Sequence, residues 1–426
     1  MKPLIVASTR PEIIKLSPIM RSLDQKNIDY IFATTGQHYD DALFNVFIME
    51  LGLSEPDYNI LVGSGSQAYQ TYKAMIELEN IMIKEDPTVI IVEGDTNSVL
   101  SSTLVGVKLH IPIAHVEAGL RSYDKNMPEE INRIVVDHCS EILFAPTEQA
   151  GLNLIHEGIG PNKIFITGNT IVDSTFQNLK IAKDTAKDLY KGDYLVLTLH
   201  RAENVDNDER LKGLIEAIDS LGEKIIFPAH PRTVKRIKSI GINQLKNINI
   251  IKPLGYIDFL NLLKRAKAAL TDSGGIQEET SILNVPCFTL RSTTERPESV
   301  EAGGNMLVGV DKEDLINRIS MTLKDKNRLN NMIKANNPFG DGRSGERIVE
   351  ILHDLDNRGN LKIKTPNFTT GIWKRKIIKV DVTLEGKMVE ELDFEVTRIL
   401  DGKDEKFPRK DLKLKMGQIV EIIEKP

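Results

Sequence analysis

The chain predicts an α/β fold with two doubly wound parallel sheets and a small β-rich appendage at its end. Short apolar runs alternate with helical patterns from the first residues onward, and the alternation restarts at Tyr194. Apolar strands between amphipathic helices are typical of a parallel sheet covered on both faces. From Asn357 the apolar residues follow period two instead, which is typical of antiparallel strands. The predicted domains are therefore residues 1–170 and 171–356, each Rossmann-like, with the appendage at 357–426.

The predicted strands share a short length and many β-branched side chains. In the first domain they are residues 4–8, 30–34, 89–93, 113–116, 142–145 and 164–167. In the second domain they are residues 194–199, 224–228, 248–251, 268–271, 287–290 and 306–308. Helical patterns separate them, for example at residues 13–23 and 74–83, and a last one closes the second domain at 345–355. The appendage strands are predicted at residues 375–384, 391–399 and 416–423.

The composition limits which cellular compartment and which binding partners we expect. With 41% hydrophobic and 27% charged residues, the chain resembles an ordinary globular protein. Only two cysteines, Cys139 and Cys287, are present, and the first residues form a strand pattern rather than a signal peptide. We therefore expect a cytoplasmic protein without a disulfide framework. No apolar stretch reaches the roughly 18 residues of a membrane span, so no membrane partner is expected.

The charge is uneven along the chain. The net charge of -6 argues against nucleic acid as the main partner. Residues 357–426 contain 16 Lys and Arg against 12 Asp and Glu, whereas the remainder contains 39 against 49. This change of sign supports a domain boundary near Asn357.

The first strand-to-helix junction is typical of an anion-binding site. Arg10 follows the strand directly, and Pro11 suits the first position of a helix. A guanidinium beside a helix N-terminus binds a phosphate or diphosphate well. Lys15, about one turn further, adds charge to the same face. The alternative is an ordinary solvated arginine at a helix start.

A second junction of this kind follows residues 268–271. Asp272 is followed by Ser273, Gly274 and Gly275, and the two glycines allow a ligand to approach the backbone where the next helix opens. Glu279, one turn into that helix, is placed to accept hydrogen bonds from ribose hydroxyls. A plain tight turn is the alternative.

Three carboxylates, Asp95, Glu117 and Glu129, are candidates for acid–base chemistry. Asp95 and Glu117 each follow a strongly apolar strand, where burial of an unpaired carboxylate costs several kcal/mol. Glu129 and Glu130 follow Pro128 in the first turn of a helix, where the helix dipole favours negative charge. Simple capping is the alternative for these two.

Among the eight histidines, His200 ends a strand and precedes Arg201, so it is a candidate partner for a phosphate or a sugar hydroxyl. His115 is interpreted instead as a buried imidazole with satisfied hydrogen bonds. The spacing of His, Cys and Asp residues does not match a metal site, and none is predicted.

With these residues assembled, the chain resembles the non-hydrolysing UDP-N-acetylglucosamine 2-epimerases from Lys2 to about Leu355. The resemblance rests on residues 9–15, 94–96, 115–121, 128–133, 168–170, 200–204, 272–279 and 294–298. The hydrolysing branch of the family usually has Ala-Asp where this chain has Pro11-Glu12, which favours the non-hydrolysing branch. The resemblance implies two Rossmann-like domains in the GT-B arrangement, a homodimer, and a nucleotide held in the cleft.

The resemblance also assigns roles to residues. The positions that match the family's catalytic residues are Asp95, Glu117, Glu129 and His200. The positions that match its UDP and substrate contacts are Arg10, Lys15, Arg133, Ser273, Gly274, Gly275, Glu279 and Arg296. The positions that match an allosteric second substrate site are Gln37, His38, Glu130, Arg201 and His230, although Asp40 stands where the family has Gln.

The expected reaction interconverts UDP-N-acetylglucosamine and UDP-N-acetylmannosamine through elimination and re-addition of UDP, with 2-acetamidoglucal as the intermediate and no cofactor. Three alternatives remain open. The first is an epimerase of a related UDP-2,3-diacetamido uronic acid. The second is a GT-B glycosyltransferase, and the third is a sugar-nucleotide sensor without catalytic activity.

Overall fold

The computed structural model describes residues 1–36, 47–63, 65–185, 190, 192–242, 244–363 and 374–424, without the side chains of 181–185, 202, 374, 375 and 424. The chain forms two compact units. Unit 1 comprises Met1–Thr170 and Arg343–Pro426, and unit 2 comprises Ile171–Gly342.

Unit 1 contains a parallel sheet that, over the described residues, has seven strands in the order β3-β2-β1-β4-β5-β6-β7. The strands are β1 Pro3–Ala7, β2 Ile31–Thr34, β3 Tyr58–Asn59, β4 Val89–Glu93, β5 Ile113–Val116, β6 Ile142–Ala145 and β7 Ile164–Ile166. The accompanying helices are α1 Arg10–Gln25, α2 Gln67–Glu85, α3 Asn97–Lys108, α4 Pro128–Cys139 and α5 Glu148–His156. Every residue of β1, β4 and β5 is buried, because helices cover both faces of the sheet.

Unit 2 repeats this plan with a parallel sheet of six described strands in the order β10-β9-β8-β11-β12-β13. The strands are β8 Leu195–Thr198, β9 Ile225–Pro228, β10 Ile248–Ile251, β11 Ala268–Thr271, β12 Cys287–Thr289 and β13 Asn305–Leu307. The helices around them are α6 Thr170–Thr185, α7 Ala202–Val205, α8 Asp208–Asp219, α9 Pro231–Ser239, α10 Tyr256–Lys264, α11 Gly274–Leu283, α12 Pro297–Glu301, α13 Lys312–Lys324 and α14 Lys326–Ile333.

The helix α15, Ser344–Asn357, packs in unit 1 against α1. A Cβ on Gly345 would lie 2.7 Å from the backbone carbon of Pro18, so the two helices meet closely at a glycine. The Met1 ammonium also contacts Asp356 Oδ2 at 2.9 Å. This helix was predicted as the end of the second domain, but in the structure it packs against α1 in unit 1.

The appendage is an antiparallel sheet. Over the described residues it has four strands, in the order β14-β17-β15-β16. They are β14 Lys374–Lys379, β15 Glu395–Asp401, β16 Asp404–Lys406 and β17 Ile419–Glu424. A small apolar cluster that includes Val396, Ile399 and Val420 covers one face. The predicted fold class, two Rossmann-like sheets with a β-rich appendage, is confirmed. Within the described residues, no helix is both long and apolar enough to cross a lipid bilayer.

The appendage is anchored to unit 1 by Phe407. This side chain is 5% exposed and packs in the apolar cluster that contains Leu120 and Leu154. Its ring lies where a Cβ on Gly151 of α5 would come within 2.9 Å, so the glycine makes room for it. His156 Nε2 also lies 3.0 Å from Glu405 Oε1. The appendage therefore packs onto α5 and the segment that follows β5.

Replacement of Phe407 by alanine is expected to lower the free energy of unfolding by about 3 kcal/mol, because a buried aromatic ring leaves a cavity. Denaturant unfolding measures this loss, and limited proteolysis of the appendage reports its release. Ile377→Ala is the matched control, since Ile377 is 73% exposed on the same sheet and its loss should change little. Equal effects of the two substitutions would mean that Phe407 is not an anchor.

Candidate functional site

In unit 1 two of the candidate carboxylates follow the carboxyl ends of adjacent strands. Asp95 follows β4 and Glu117 follows β5, and the two strands pair in parallel. Glu117 has φ of 69°, a left-handed conformation that is costly for a residue with a side chain. Such strain persists where the surrounding structure fixes a functional geometry. Both carboxylates lie at the edge of the sheet where ligands bind in open α/β folds.

Glu117 is paired with Lys15, which reaches it from α1. The Lys15 ammonium also lies 3.1 Å from Oε1 of Glu93, the last residue of β4. Burial raises the pKa of Glu93 well above its ordinary value; Lys15 opposes this shift and Glu117 adds to it. Lys15 was predicted as a substrate contact, whereas Glu93 was not among the predicted site residues. The available signal was a carboxylate at the end of an otherwise apolar strand.

Asp95 is held by α4. Its Oδ2 pairs with Arg133, and Asn132 Nδ2 donates to its carbonyl oxygen at 2.8 Å. The side chain of Asp95 is 31% exposed, so it is both oriented and accessible. Glu129, in the first turn of α4, is exposed.

Glu130, predicted as an allosteric contact, is completely buried. It pairs with Arg133 and accepts hydrogen bonds from the backbone N–H groups of Ser122 at 3.0 Å and Tyr123 at 2.9 Å. These contacts tie the loop before α4 to the arginine that orients Asp95.

His115 is a buried residue with both ring nitrogens satisfied, as interpreted from the sequence. Nδ1 lies 2.7 Å from Asp137 Oδ1, and Nε2 lies 2.8 Å from the carbonyl oxygen of Gly94. The Gly94 carbonyl oxygen can only accept, so Nε2 donates to it. Burial alone would raise the pKa of Asp137, but His115 and Arg121 together hold it below its ordinary value. This charged network supports the backbone around Glu117.

Arg10 opens α1 and is exposed, with its guanidinium carbon 5.3 Å from the ring centre of Phe47. The helix start is stabilised by Glu12, which accepts hydrogen bonds from the backbone N–H of Thr9 at 3.1 Å and the hydroxyl of Ser8 at 2.9 Å. Arg10 is thus presented beside a helix N-terminus, the geometry that favours anions.

In unit 2 the central feature is a pair formed by His200 and Asp272. His200 Nδ1 lies 2.8 Å from Asp272 Oδ1, while the imidazole is 58% exposed. Asp272 is fully buried and also accepts from the Arg201 backbone at 3.1 Å and from Asn204 Nδ2 at 3.0 Å. Burial would raise the pKa of Asp272, but the hydrogen bond and charge of His200, with the hydrogen bonds from Asn204 and the Arg201 backbone, hold the pKa below its ordinary value. The carboxylate therefore fixes the ring and leaves Nε2 to face outward.

Ser273, Gly274 and Gly275 form the start of α11, as predicted. Ser273 is the N-cap residue, and its backbone N–H donates to Thr271 Oγ1 at 3.0 Å. Gly275 is partly exposed, so backbone N–H groups of the first turn are accessible to an anion. Glu279 lies further along α11 and is 4% exposed.

A charged cluster lies against Gly274. Glu295 lies between two arginines, with one oxygen 2.8 Å from Arg201 Nη2 and the other 2.8 Å from Arg291 Nη1. Arg296 contacts Glu278 at 2.9 Å and Glu295 at 3.1 Å. These five side chains sum to one positive charge, which adds to the positive end of α11. Arg201, predicted as an allosteric contact, and Arg296, predicted as a substrate contact, thus lie in one cluster.

His230, another predicted allosteric contact, is exposed as the N-cap of α9, where Nδ1 accepts from the Arg232 backbone at 3.3 Å. Gln37 and His38 lie outside the described residues. Across the part of the chain that the structure describes, no group of three or more His, Cys, Asp or Glu side chains is placed to hold a metal ion. The absence of a metal and the roles of the individual residues stay predictions.

Gly274→Ala is expected to lower the free energy of unfolding by about 1–3 kcal/mol and to weaken UDP binding, because the added Cβ would lie 2.8 Å from Glu295 Oε1 and 3.0 Å from Arg296 Nη1. Denaturant unfolding and titration with UDP measure the two effects. Gly275→Ala is the matched control for stability, since the nearest atom to its Cβ is Ser273 Oγ at 3.8 Å. Equal destabilisation by the two substitutions would mean that the Glu295 and Arg296 side chains can move aside without a measurable loss of stability.

Comparison with known proteins identifies the family. Residues 21–353 match the family model described as UDP-N-acetylglucosamine 2-epimerase. The chain belongs to the UDP-N-acetylglucosamine 2-epimerase family. A family member from Methanocaldococcus jannaschii, named UDP-N-acetylglucosamine 2-epimerase, is 53% identical over 367 residues, which is 83% of this chain and 99% of that protein.

The solved structures agree. The epimerase of M. jannaschii in complex with UDP-GlcNAc and UDP matches with a TM-score of 0.78 at 53% identity, over 83% of this chain and 100% of that one. Another relative, the UDP-2,3-diacetamido-2,3-dideoxy-D-glucuronate 2-epimerase of Pseudomonas aeruginosa, is 36% identical over 83% of this chain and 100% of its own length. The family match ends at residue 353, so the appendage lies outside it.

Proposed function

We propose that this isomerase interconverts UDP-N-acetylglucosamine and UDP-N-acetylmannosamine by inverting C2 of the sugar. The observation that carries the proposal is the pair of carboxylates at the ends of adjacent strands, Asp95 held by Arg133 and Glu117 held by Lys15. Each is oriented by a cation, and oriented carboxylates are suited to proton transfer. Family membership supplies the substrate class.

The chemistry explains why both carboxylates and an anion site are needed. C2 is not α to a carbonyl, so its proton is not acidic in the bound substrate. If the C1–O bond to UDP breaks first, the positive character at C1 acidifies that proton, and loss of both groups gives 2-acetamidoglucal. Protonation of C2 on the opposite face and re-addition of UDP at C1 complete the inversion.

The roles follow from this scheme. Asp95, Glu117 and Glu129 are the proposed acids and bases for the two faces of C2. Arg10, His200 and the N-terminus of α11 stabilise the diphosphate as it leaves. Arg133 orients Asp95, and Arg296 contributes to the positive cluster at the start of α11. Glu279 is the proposed partner of the ribose hydroxyls.

Incubation with UDP-N-acetylglucosamine in D₂O tests the proposal. NMR should show deuterium at C2 of both epimers, because each turnover exchanges that proton with solvent. Unlabelled substrate after long incubation would refute epimerisation. A glycosyltransferase would instead transfer the sugar to an acceptor and leave C2 unlabelled.

A related substrate is the second candidate, since the relative from P. aeruginosa is named as an epimerase of a UDP-2,3-diacetamido uronic acid. Such a sugar carries a carboxylate, so its site would need an additional cation. Assay of both UDP-sugars side by side decides: we expect a higher kcat/KM for UDP-N-acetylglucosamine.

The proposal includes a homodimer, as the family resemblance implies, and action in the cytoplasm. Cys139 and Cys287 are free thiols, which supports a reducing compartment. Light scattering of the purified chain measures its mass in solution, and a monomer would remove the dimer from the proposal.

A further inference from the structure

In unit 1 Lys15 contacts two buried carboxylates, Glu93 and Glu117, and the buried Glu12 lies on the same helix within electrostatic reach of Glu93. Glu93 is 2% exposed, Glu117 8% and Glu12 3%. Glu93 pairs in register with Val116, which places it beside the residue that precedes Glu117. Lys15 contacts Glu93 Oε1 at 3.1 Å and also pairs with Glu117. The charged groups that face Glu93 are thus Lys15 and Glu12 from α1 and Glu117 from the segment after β5.

These charges do not balance if all three carboxyl groups are ionised. Burial raises the pKa of Glu12, and the hydrogen bonds that its oxygens accept from Ser8 and Thr9 oppose this rise. Glu93 and Glu117 both contact the Lys15 ammonium. Two buried carboxylates within reach of one cation repel each other, and a proton shared between them removes the repulsion and turns one into a donor.

We propose that Glu93 is a positioning residue that carries the proton of a Glu93–Glu117 carboxyl pair and donates it in a hydrogen bond to the Glu117 carboxylate. Glu117 then accepts from two donors, the Glu93 carboxyl and the Lys15 ammonium, and these fix its orientation and its readiness to exchange a proton at C2. The inference rests on the proposed function. Burial and the neighbouring Glu117 both raise the pKa of Glu93, in keeping with a carboxyl that stays protonated.

A consequence for the pH dependence follows. When Glu93 loses its proton at high pH, a second negative charge arises beside Glu117 and competes for Lys15. The hydrogen bond from Glu93 is lost at the same step. Turnover should therefore fall on the basic side of the profile, with an apparent pKa that belongs to the pair rather than to either residue.

The test compares kcat against pH for the full chain and for Glu93→Gln, which keeps a donor of the same shape but cannot ionise. We expect the basic limb to move up by about one pH unit or more in this variant, with kcat at pH 7 within about tenfold of the original chain. Glu79→Gln, the same change on the exposed face of α2, should leave the limb in place. Glu93→Asp retains an ionisable group and should retain the limb.

A second measurement does not depend on activity. The infrared spectrum of the full chain in D₂O at neutral pH should contain a protonated carboxyl band that Glu93→Gln removes and Glu79→Gln retains. Absence of the band from the original chain, its persistence in Glu93→Gln, coincident pH profiles, or an original chain without a basic limb would each overturn the inference. An inactive original chain would refute the proposed function instead, and the infrared result would still decide the carboxyl pair.

Discussion

Replacement of Asp95 by asparagine is expected to lower kcat by about 10²-fold or more while UDP binding changes little. Asparagine has the same shape as aspartate and can still accept a hydrogen bond from Arg133. The segment after β4 should therefore keep its geometry. It can neither take nor give the C2 proton, and loss of a positioned acid or base costs about 10²–10⁴ in rate. NMR measurement of epimerisation gives kcat, and calorimetric titration gives the affinity for UDP.

Asp86→Asn is the matched control for this substitution. Asp86 is an exposed residue at the end of α2 with φ of 46°, a conformation that asparagine adopts readily. It should leave both turnover and UDP affinity unchanged. Near-normal turnover of the Asp95 variant would remove Asp95 from the mechanism, and a parallel loss of UDP binding would indicate a structural role.

The sequence predicted most of the fold because the two large sheets are parallel and covered on both faces. Such strands are almost entirely apolar, so residues 89–93 and 113–116, which contain one polar residue each, are recognisable without knowledge of their neighbours. The same logic located Asp95, Glu117 and His200, since polar residues that follow buried strands must lie at the edge of the sheet.

The remaining features depend on contacts that a linear pattern does not contain. The amphipathic helix α15 has an apolar face, but nothing local indicates that this face packs on α1 rather than on a helix of unit 2. Phe407 likewise follows a short strand, and only the structure shows that it fills the space left by Gly151. Glu93 was missed because a charged residue at a strand end is usually solvated, whereas here it is buried beside Lys15.

The second large effect is expected for Asp272→Asn, with a loss in kcat of about 10²-fold or more. The Asp272 carboxylate accepts from His200 Nδ1 on one oxygen and from the Arg201 backbone and Asn204 on the other. An asparagine amide places an NH₂ group at one of these two positions. If the NH₂ group faces the Arg201 backbone and Asn204, donors face a donor. If it faces His200, Nδ1 must become an acceptor.

The two orientations of the amide lower the free energy of unfolding by different amounts, so a stability measurement distinguishes them. If the amide nitrogen faces Arg201 and Asn204, two donors lose their acceptor and the chain is destabilised. If it faces His200, the ring keeps its place but carries its proton on Nε2, and it loses the carboxylate that stabilises its charged form. Turnover falls in both cases, but only the second leaves the free energy of unfolding nearly unchanged.

Asp219→Asn separates loss of stability from loss of function. Asp219 is also a backbone-binding carboxylate of unit 2, accepting from the N–H groups of Asn247 at 2.7 Å and Ile248 at 3.1 Å, and it belongs to none of the candidate sites. Its replacement should cost stability without changing kcat. If the Asp219 and Asp272 variants lost turnover in proportion to their loss of stability, Asp272 would be a structural carboxylate. If Asp272→Asn alone abolished turnover, the fixed imidazole of His200 would be what the reaction requires.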